Sequence, residues 1–404
     1  SPVAPVYQEF LSHELHFRIG NFNLLSHGGQ NLTMIEFIND GLMTVFFLLV
    51  GLEIKRELLV GELSSFRKAA LPFIAACGGM LFPVLVYSFV CAPGTPGGQG
   101  LAIPMATDIA FSLGVLSLLG KRVPLSLKIF LTAFAVVDDI GGILVIAVFY
   151  SSHVAYGYLL VAILLLILLY FIGKRTVANK LFFLVIGVVI WYLFLQSGIH
   201  STIAGVLLAF VIPAKPQLRA GRYIERIRRI INTFPVMGEN DIVLTNEQIA
   251  QLKRVESASD RVISPLQSLE DNLHGVVNYI ILPLFAFVNA GVVFSGGGEV
   301  IGEVSIAVAL GLLCGKFLGI YFFTWLAVKS KLTPMPQGMD WKNIAGVALL
   351  GGIGFTVSLF IANLSFGVTH PVLLNQAKFG VLSGTALAGI LGYIVLYLVL
   401  PKKR

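Results

Sequence analysis

Residues 129–148 read IFLTAFAVVDDIGGILVIAV and place Asp138 and Asp139 side by side in otherwise apolar sequence. About 20 residues of this composition are enough to cross the hydrocarbon core of a bilayer as a helix. The two carboxylates then lie near the middle of the membrane, where even one ionised acid costs at least a few kcal/mol. The stretch therefore predicts a membrane helix that carries a functional site.

The composition of the whole chain is that of a membrane protein. Hydrophobic residues make up 56% of the 404 residues and charged residues only 12%, whereas about a quarter of an average soluble domain is charged. The net charge of +7 lies in short loops and forms no continuous basic face, so no nucleic-acid partner is expected. We predict an all-α polytopic fold, with an outside segment at residues 1–33 and a single transmembrane domain at residues 34–404.

About eleven apolar runs follow the first segment, several of them short or interrupted by glycine. They are Ile35 to Ile54, Leu71 to Ala92, Leu101 to Leu119, Leu125 to Tyr150, Ala155 to Ile172, Leu181 to Leu195, Ile199 to Ile212, Val276 to Phe294, Val304 to Val328, Ile344 to Phe366 and Gln376 to Leu400.

Basic residues occur in every second loop. Lys and Arg follow the first, third, fifth, seventh and ninth runs and occupy the C-terminal tail, whereas the loops between contain none. Loops rich in Lys and Arg stay on the cytoplasmic side of a membrane. The C-terminus is therefore predicted to be cytoplasmic and the N-terminal segment outside.

Two polar segments interrupt this pattern. In the first, Leu15, Phe17 and Ile19 alternate with polar residues before a possible turn at Gly20 and Asn21, which is typical of a small β-hairpin but also fits an irregular surface loop. The second is the long cytoplasmic loop at residues 214–273, which opens basic and later has the charge mix of a solvated helix. It is either a regulatory segment or a variable linker.

Lys316 lies at the centre of its apolar run, with about a dozen apolar residues on each side, too many for its ammonium group to snorkel to an interface. We expect it to pair with one acid of the Asp138–Asp139 couple. Adjacent helical residues point about 100° apart, so the other acid is left to face a water-filled cavity. A buried structural salt bridge is the alternative.

Such acids can bind either protons or a cation. A hard monovalent cation such as Na⁺ needs oxygen ligands, which Asp138, Asp139, Asp108, the Thr107 hydroxyl and backbone carbonyls can supply. Competition between Na⁺ and protons for the same carboxylates would produce antiport directly, with no cofactor.

The other ionisable residues in or beside the spans are more ambiguous. Asp108 either belongs to the site or caps a broken helix. Asp40 and Glu53 stand near span ends, where an interfacial position is the simpler interpretation. His200 and His274 stand at span boundaries and are either proton sensors, since histidine titrates near neutrality, or satisfied boundary residues.

Two spans have the sequence of broken helices. PMATDIAFSLG, at residues 104–114, combines a proline and a glycine around Thr107 and Asp108, and LLGGIGFTVSLF, at residues 349–360, has three glycines within four residues. A pair of interrupted spans predicts a midplane binding site in transporters built from inverted repeats. The glycines could instead serve close helix packing.

Several motifs together resemble the NhaA-type bacterial sodium/proton antiporters, a family that is itself a known example of inverted-repeat architecture. The resemblance extends from the hairpin segment to the last span, without the long loop. It rests on GLEIKREL from Gly51, the run that begins PMATDIAFSLG at Pro104, VVDDIGG from Val136, SGIHSTIAGV from Ser197, LPLFAFVNAGV from Leu282, GKFLGI from Gly315 and GGIGFTVSLFIANLSF from Gly351.

The resemblance implies a fold with inverted three-helix repeats and two broken helices that cross at the midplane, in the bacterial inner membrane. It also implies a homodimer joined through the outside hairpin, and electrogenic, pH-regulated exchange of Na⁺ or Li⁺ for protons. The chain begins about where the family's first helix ends, its long loop is larger than in well-known members, and Phe317 stands where proline is common.

The resemblance also assigns roles to individual residues. Asp139 matches the principal ion-binding acid, Asp138 the acid that pairs with the lysine at Lys316, and Thr107 and Asp108 the broken-helix pair. The residues matched to pH response are Glu53, Arg56, Glu57, His200, Glu270 and His274.

The sequence also leaves two functions of other classes open. An intramembrane aspartyl hydrolase would use the paired acids as a proton-sharing dyad, although Lys316 would compete for one of them. An ion channel would conduct Na⁺ without a pH gradient.

Overall fold

The structure is a computed structural model that describes residues 4–16, 18–19, 22–27, 30–150, 154–175, 180–216, 218, 220–234, 243–294, 300–367 and 369–401. Within these ranges the chain is almost entirely helical. The helices are α1 Ala4–Ser12, α2 Met34–Val60, α3 Phe66–Val90, α4 Pro96–Met105, α5 Ile109–Ser117, α6 Leu125–Phe149, α7 Tyr156–Arg175, α8 Lys180–Ser197, α9 Thr202–Val211, α10 Ala220–Asn232, α11 Asn246–Val262, α12 Pro265–Asn289, α13 Glu303–Lys329, α14 Trp341–Leu350, α15 Phe355–Phe366 and α16 Pro371–Val399.

Eight of the described helices are long and apolar enough to cross a membrane: α2, α3, α6, α7, α8, α12, α13 and α16. The pairs α4/α5 and α14/α15 each form a further candidate span, bent by 46° and 45° at a short break. The predicted all-α polytopic fold is thus confirmed, and both predicted broken helices are bent at the expected places. Helix α9 has only 10 residues, about 15 Å of helix, which is shorter than the hydrocarbon core.

The two breaks lie against each other. The backbone N–H of Asp108, in the first break, donates to the carbonyl of Ile353, in the second, over 2.6 Å. A Cβ added to Gly354 would lie 2.9 Å from the carbonyl oxygen of Ala106, so only glycine allows this approach. The glycines of the second break therefore serve close packing as well as interrupting the helix.

Helix α13 is held against α3 through small residues. Gly311, Gly315 and Gly319 recur every four residues on one face of α13, and a Cβ on Gly319 would lie 2.1 Å from the carbonyl oxygen of Gly78 in α3. Small residues at this spacing let membrane helices approach closely. A π turn at Gly311–Gly315 immediately precedes Lys316, and such turns often mark functional positions in helices. The packing thus fixes the depth and direction of Lys316.

Two short antiparallel sheets lie in the N-terminal segment. Strand β1, Arg18–Ile19, pairs with β2, Phe22–Asn23, and β3, Ser26–His27, pairs with β4, Gln30–Asn31. The first pair flanks the position at which we predicted a turn, although residues 20 and 21 themselves lie outside the described residues.

The long polar loop differs from our expectation in its second half. We predicted a polar loop through residue 273 and a span from Val276. In the structure Ser264 caps a helix whose first residue is Pro265, and this helix continues as α12 to Asn289. Glu270 and His274 therefore belong to the first turns of a long helix, because Pro265 and its N-cap set a helix start that hydropathy alone does not reveal.

Candidate functional site

Asp138 and Lys316 form a fully buried ion pair between α6 and α13. The Lys316 ammonium donates to Oδ2 of Asp138 over 2.7 Å, and both side chains are 0% exposed. Thr107 lies beside Asp138, yet its hydroxyl donates to the carbonyl of Gly351 over 2.7 Å. Oδ1 of Asp138 is left without a hydrogen-bond partner among the described residues, so the carboxylate keeps one oxygen for a further ligand.

Asp139 faces a different environment from its neighbour. It lies on the wall of a cavity of about 950 Å³, which Thr107 and Asp108 also line. Glu53, Arg56 and His274 line the same cavity, and Glu53 and Arg56 lie at the end of α2 that precedes basic loop residues. Because the two acids point about 100° apart on α6, one carboxylate is sealed by Lys316 and the other can meet ions that enter the cavity.

Asp108 joins the two broken helices. As the N-cap of α5 it accepts a hydrogen bond on Oδ1 from the Phe111 N–H, over 3.2 Å. Its Oδ2 accepts from the Thr356 N–H, over 3.1 Å, and from the Thr356 hydroxyl, at the start of α15. One carboxylate thus neutralises the positive ends of two half-helices. The capping role that we considered for Asp108 is present, and it places the side chain in the wall of the cavity as well.

Serine side chains exchange equivalent contacts across the crossing. Ser112, the fourth residue of α5, donates to the carbonyl of Leu350, the last residue of α14, over 3.0 Å. Ser358, the fourth residue of α15, donates to the carbonyl of Ile103, near the end of α4, over 2.8 Å. Each half-helix that follows a break therefore satisfies a carbonyl of the half-helix that precedes the other break.

Five of the six residues matched to pH response lie together at the cavity mouth. Arg56 donates to Oε1 of Glu270 over 2.8 Å and also contacts Oε1 of Glu57 at 2.9 Å. Nε2 of His274 lies 3.4 Å from Oε1 of Glu53 and 4.0 Å from Oε1 of Glu270. We call Glu53, Arg56, Glu57, Glu270 and His274 the mouth cluster.

His200 lies apart from the mouth cluster. Its Nε2 atom is 3.5 Å from Oδ1 of Asp40, near the other end of α2, and the 13 residues from Asp40 to Glu53 span roughly 20 Å of helix. Both residues line a second, smaller cavity of about 260 Å³. Burial lowers the pKa of His200 to about 4, so the imidazole is neutral at pH 7 and its contact with Asp40 is not an ion pair there.

The sequence analysis did not single out three polar residues that the structure places near the crossing. Thr356 binds Asp108, and Thr132 lines the same cavity wall as Asp139, two turns away on α6. The fully buried Asn289 exchanges side-chain hydrogen bonds with Asn39 and Asn363, which links α12 to α2 and α15. Thr132 could have been found from its spacing of seven residues from Asp139, whereas the asparagine contacts join residues far apart in sequence.

Comparison with known proteins gives a consistent result. The family model described as Na⁺/H⁺ antiporter 1 matches residues 1–396. A protein of Bacteroides fragilis (strain ATCC 25285) named Na(+)/H(+) antiporter NhaA is 85% identical over 404 residues, which are 100% of this chain and 92% of the relative. Proteins of the same name from Bacteroides thetaiotaomicron and Phocaeicola vulgatus are 82% and 62% identical, again over 100% of this chain and over 92% and 90% of their own lengths.

Proposed function

The chain belongs to the Na⁺/H⁺ antiporter 1 family, and from this premise we propose that it exchanges Na⁺ or Li⁺ for protons across a membrane. It is a transporter rather than an enzyme, and the ions are its cargo rather than cofactors. The observation that carries the proposal is the division between two adjacent acids, one paired with Lys316 and the other open to the cavity.

Asp139 is the principal cation ligand in this proposal, and Asp138 is the second. A Na⁺ ion that enters the cavity meets Asp139 first. The unpartnered Oδ1 of Asp138 and the Thr107 hydroxyl supply further oxygen ligands of the kind a hard cation prefers. Asp108 and Thr356 hold the two half-helix ends in place around the site.

Exchange follows from competition for these oxygens. A cation can occupy the site only when Asp139 has released its proton, and protonation of the carboxylate removes the negative charge that holds the cation. Lys316 links the second acid to the same event, because a cation near Asp138 repels the ammonium group and favours its deprotonation or withdrawal. Release of more than one proton per Na⁺ makes the exchange electrogenic.

The proposal also covers how the protein lies in the membrane and how its activity is adjusted. The basic loops and the C-terminus are cytoplasmic by the distribution of Lys and Arg, which makes the mouth cluster the cytoplasmic entrance and the Asp40–His200 cavity the outer side. The protein resides in the bacterial inner membrane as a homodimer joined through the N-terminal strands. The mouth cluster adjusts activity to pH, for sodium and pH homeostasis.

A flux experiment tests the function. Proteoliposomes that contain Na⁺ and an internal pH dye are diluted into Na⁺-free buffer, with the membrane potential clamped by K⁺ and valinomycin. We expect the lumen to acidify as Na⁺ leaves and Asp139→Asn to abolish the signal. Asp340→Asn, which changes an exposed aspartate outside the cavity lining, should keep it. A channel would carry Na⁺ under the clamp without acidification.

A second variant tests the part played by the lysine. If Lys316→Ala keeps electrogenic exchange with the same proton coupling, Lys316 is structural and carries no proton. A proton-sharing hydrolase dyad is disfavoured because Lys316 already binds Asp138. Proteolysis that persists without ion flux would restore that alternative.

A further inference from the structure

Three members of the mouth cluster present metal-binding atoms to one point. Glu53 extends from α2, and Glu270 and His274 extend from one face of α12, four residues apart. Their ligand atoms all lie within 4.8 Å of one another. Two ligands at this spacing on a helix, completed by a third from a neighbouring helix, form a common arrangement for a transition metal.

The distances within this group are too long for hydrogen bonds. Nε2 of His274 is 3.4 Å from Glu53 Oε1 and 4.0 Å from Glu270 Oε1, whereas a good hydrogen bond from an imidazole to a carboxylate measures about 2.7–3.2 Å. Ligands bound at about 2.0–2.1 Å around a tetrahedral metal lie roughly 3.4 Å apart. The 3.4 Å between His274 Nε2 and Glu53 Oε1 therefore fits two ligands of one metal ion better than it fits a hydrogen bond between the two side chains.

Glu270 supplies a second and independent indication. The residue is 5% exposed, and its Oε1 atom accepts from Arg56. Its Oε2 atom is buried and has no hydrogen-bond partner within the described part of the chain. Leaving a buried carboxylate oxygen unpaired is costly, and a cation bound to this carboxylate would relieve that cost.

The local charge also favours a divalent ion. Glu53, Glu57 and Glu270 contribute three negative charges when ionised and Arg56 contributes one positive charge, which leaves a net charge of −2. A neutral imidazole with two carboxylates binds borderline metals such as Zn²⁺ or Ni²⁺ and binds Mg²⁺ or Ca²⁺ less well, because these harder ions prefer an all-oxygen site.

We propose that Glu53, Glu270 and His274 form an inhibitory binding site for a transition-metal dication of the Zn²⁺ or Ni²⁺ type. Glu53 and His274 line the same cavity as Asp139, so a bound ion would narrow and electrostatically close the path to the exchange site. The inhibition rests on the proposed function, whereas the binding does not.

Binding is measured first, on tag-free protein in detergent titrated calorimetrically with ZnCl₂ and, separately, with MgCl₂. We expect one Zn²⁺ per chain and no comparable Mg²⁺ binding. We expect His274→Gln and Glu53→Gln each to weaken Zn²⁺ binding at least about tenfold, and His370→Gln, outside the cluster, to leave it unchanged. The His274 side chain is 44% exposed, so its replacement should not disturb folding. Zn²⁺ binding that is absent in the wild type, or equally tight in both cluster variants, overturns the site.

Inhibition is measured next, as the fraction of each variant's own exchange rate that remains when ZnCl₂ is added on the mouth-cluster side of proteoliposomes. We expect wild type and His370→Gln to be inhibited at the same concentration and His274→Gln to need at least about tenfold more. If Zn²⁺ binds but no variant exchanges Na⁺, the proposed function fails and the site stands. If exchange occurs and Zn²⁺ neither binds nor inhibits, the site fails and the function stands.

Discussion

Two ion pairs, one beside Asp139 and one in the mouth cluster, have nearly the same length and very different surroundings. Lys316 and Asp138 are 2.7 Å apart and 0% exposed. Arg56 and Glu270 are 2.8 Å apart, but the Arg56 side chain is 34% exposed. In the first pair neither charge can be exchanged for water, whereas in the second the guanidinium is solvated on its open side.

Burial, rather than contact distance, decides what each of these ion pairs can do. Removing one partner of a buried pair leaves an uncompensated charge in a medium of low dielectric constant. Removing one partner of a half-exposed pair allows water to replace it. The Lys316–Asp138 pair is therefore suited to an obligatory exchange of charge, and the mouth cluster to graded adjustment of activity.

The largest effect is expected from Lys316→Met. This variant leaves Asp138 buried without its counter-charge, and we expect the free energy of unfolding to fall by about 3–5 kcal/mol. Thermal unfolding in detergent measures the change. The double variant Lys316→Met/Asp138→Leu removes both charges and should recover most of the loss. If Lys316→Met alone is as stable as the wild type, burial does not set the Lys316–Asp138 pair apart from the Arg56–Glu270 pair.

His200 is a further buried ionisable group, and its imidazole is uncharged at neutral pH although Asp40 lies 3.5 Å away. Its pKa of about 4 in the folded protein lies below the unfolded value of about 6.5. Folding stability should therefore be fully present above about pH 6.5 and fall by about 3 kcal/mol as the pH drops toward 4.

The check on this expectation is the difference between wild type and His200→Gln in the unfolding midpoint from pH 8 to pH 4.5. The variant lacks the titrating group and should lose less stability in acid. Parallel pH profiles for the two proteins would mean that His200 titrates near its ordinary pKa.

Thr356→Val tests the contact between the two broken helices. The substitution removes the hydroxyl that donates to Asp108 but keeps the shape of the side chain and its backbone N–H contact. We expect a loss of about 1–3 kcal/mol, as for other buried carboxylates deprived of one donor. Ser383→Ala, which removes a hydroxyl bonded within its own helix, is the matched control and should change the unfolding midpoint less.

The smallest effect is expected from Arg56→Gln. The guanidinium is 34% exposed, and the glutamine amide can still donate to Glu270, whose side chain is only 7% exposed. We therefore expect a loss of about 1 kcal/mol of stability. The same thermal assay decides the matter, and a loss as large as that of Lys316→Met would remove the distinction between the two pairs.

Much of this arrangement could be predicted from the sequence because it depends on local pattern. Hydropathy predicts the spans, and an isolated lysine at mid-membrane depth predicts an acidic partner, which the structure places at Asp138. Proline and glycine around Thr107 and before Thr356 indicate where the helices are interrupted. Each of these inferences needs only the residues of one segment and the energetics of the bilayer.

The remaining features depend on contacts between distant segments. The Thr107 hydroxyl donates to the carbonyl of Gly351, 244 residues away, and no sequence periodicity indicates such a partner. Glu270 was assigned to a polar loop because its neighbours are polar, whereas the N-cap at Ser264 makes it part of α12. The shared cavity follows from the packing of several helices and has no local signature.

The hydrogen bonds exchanged between the two breaks make the crossing cooperative. Six of them link the two broken helices, from the N–H groups of Asp108 and Thr356 and from the hydroxyls of Thr107, Ser112, Thr356 and Ser358. A displacement of one half-helix alone would leave these groups unpaired, at roughly 1–3 kcal/mol each. Half-displaced states are therefore disfavoured, and the two broken helices should move as one unit.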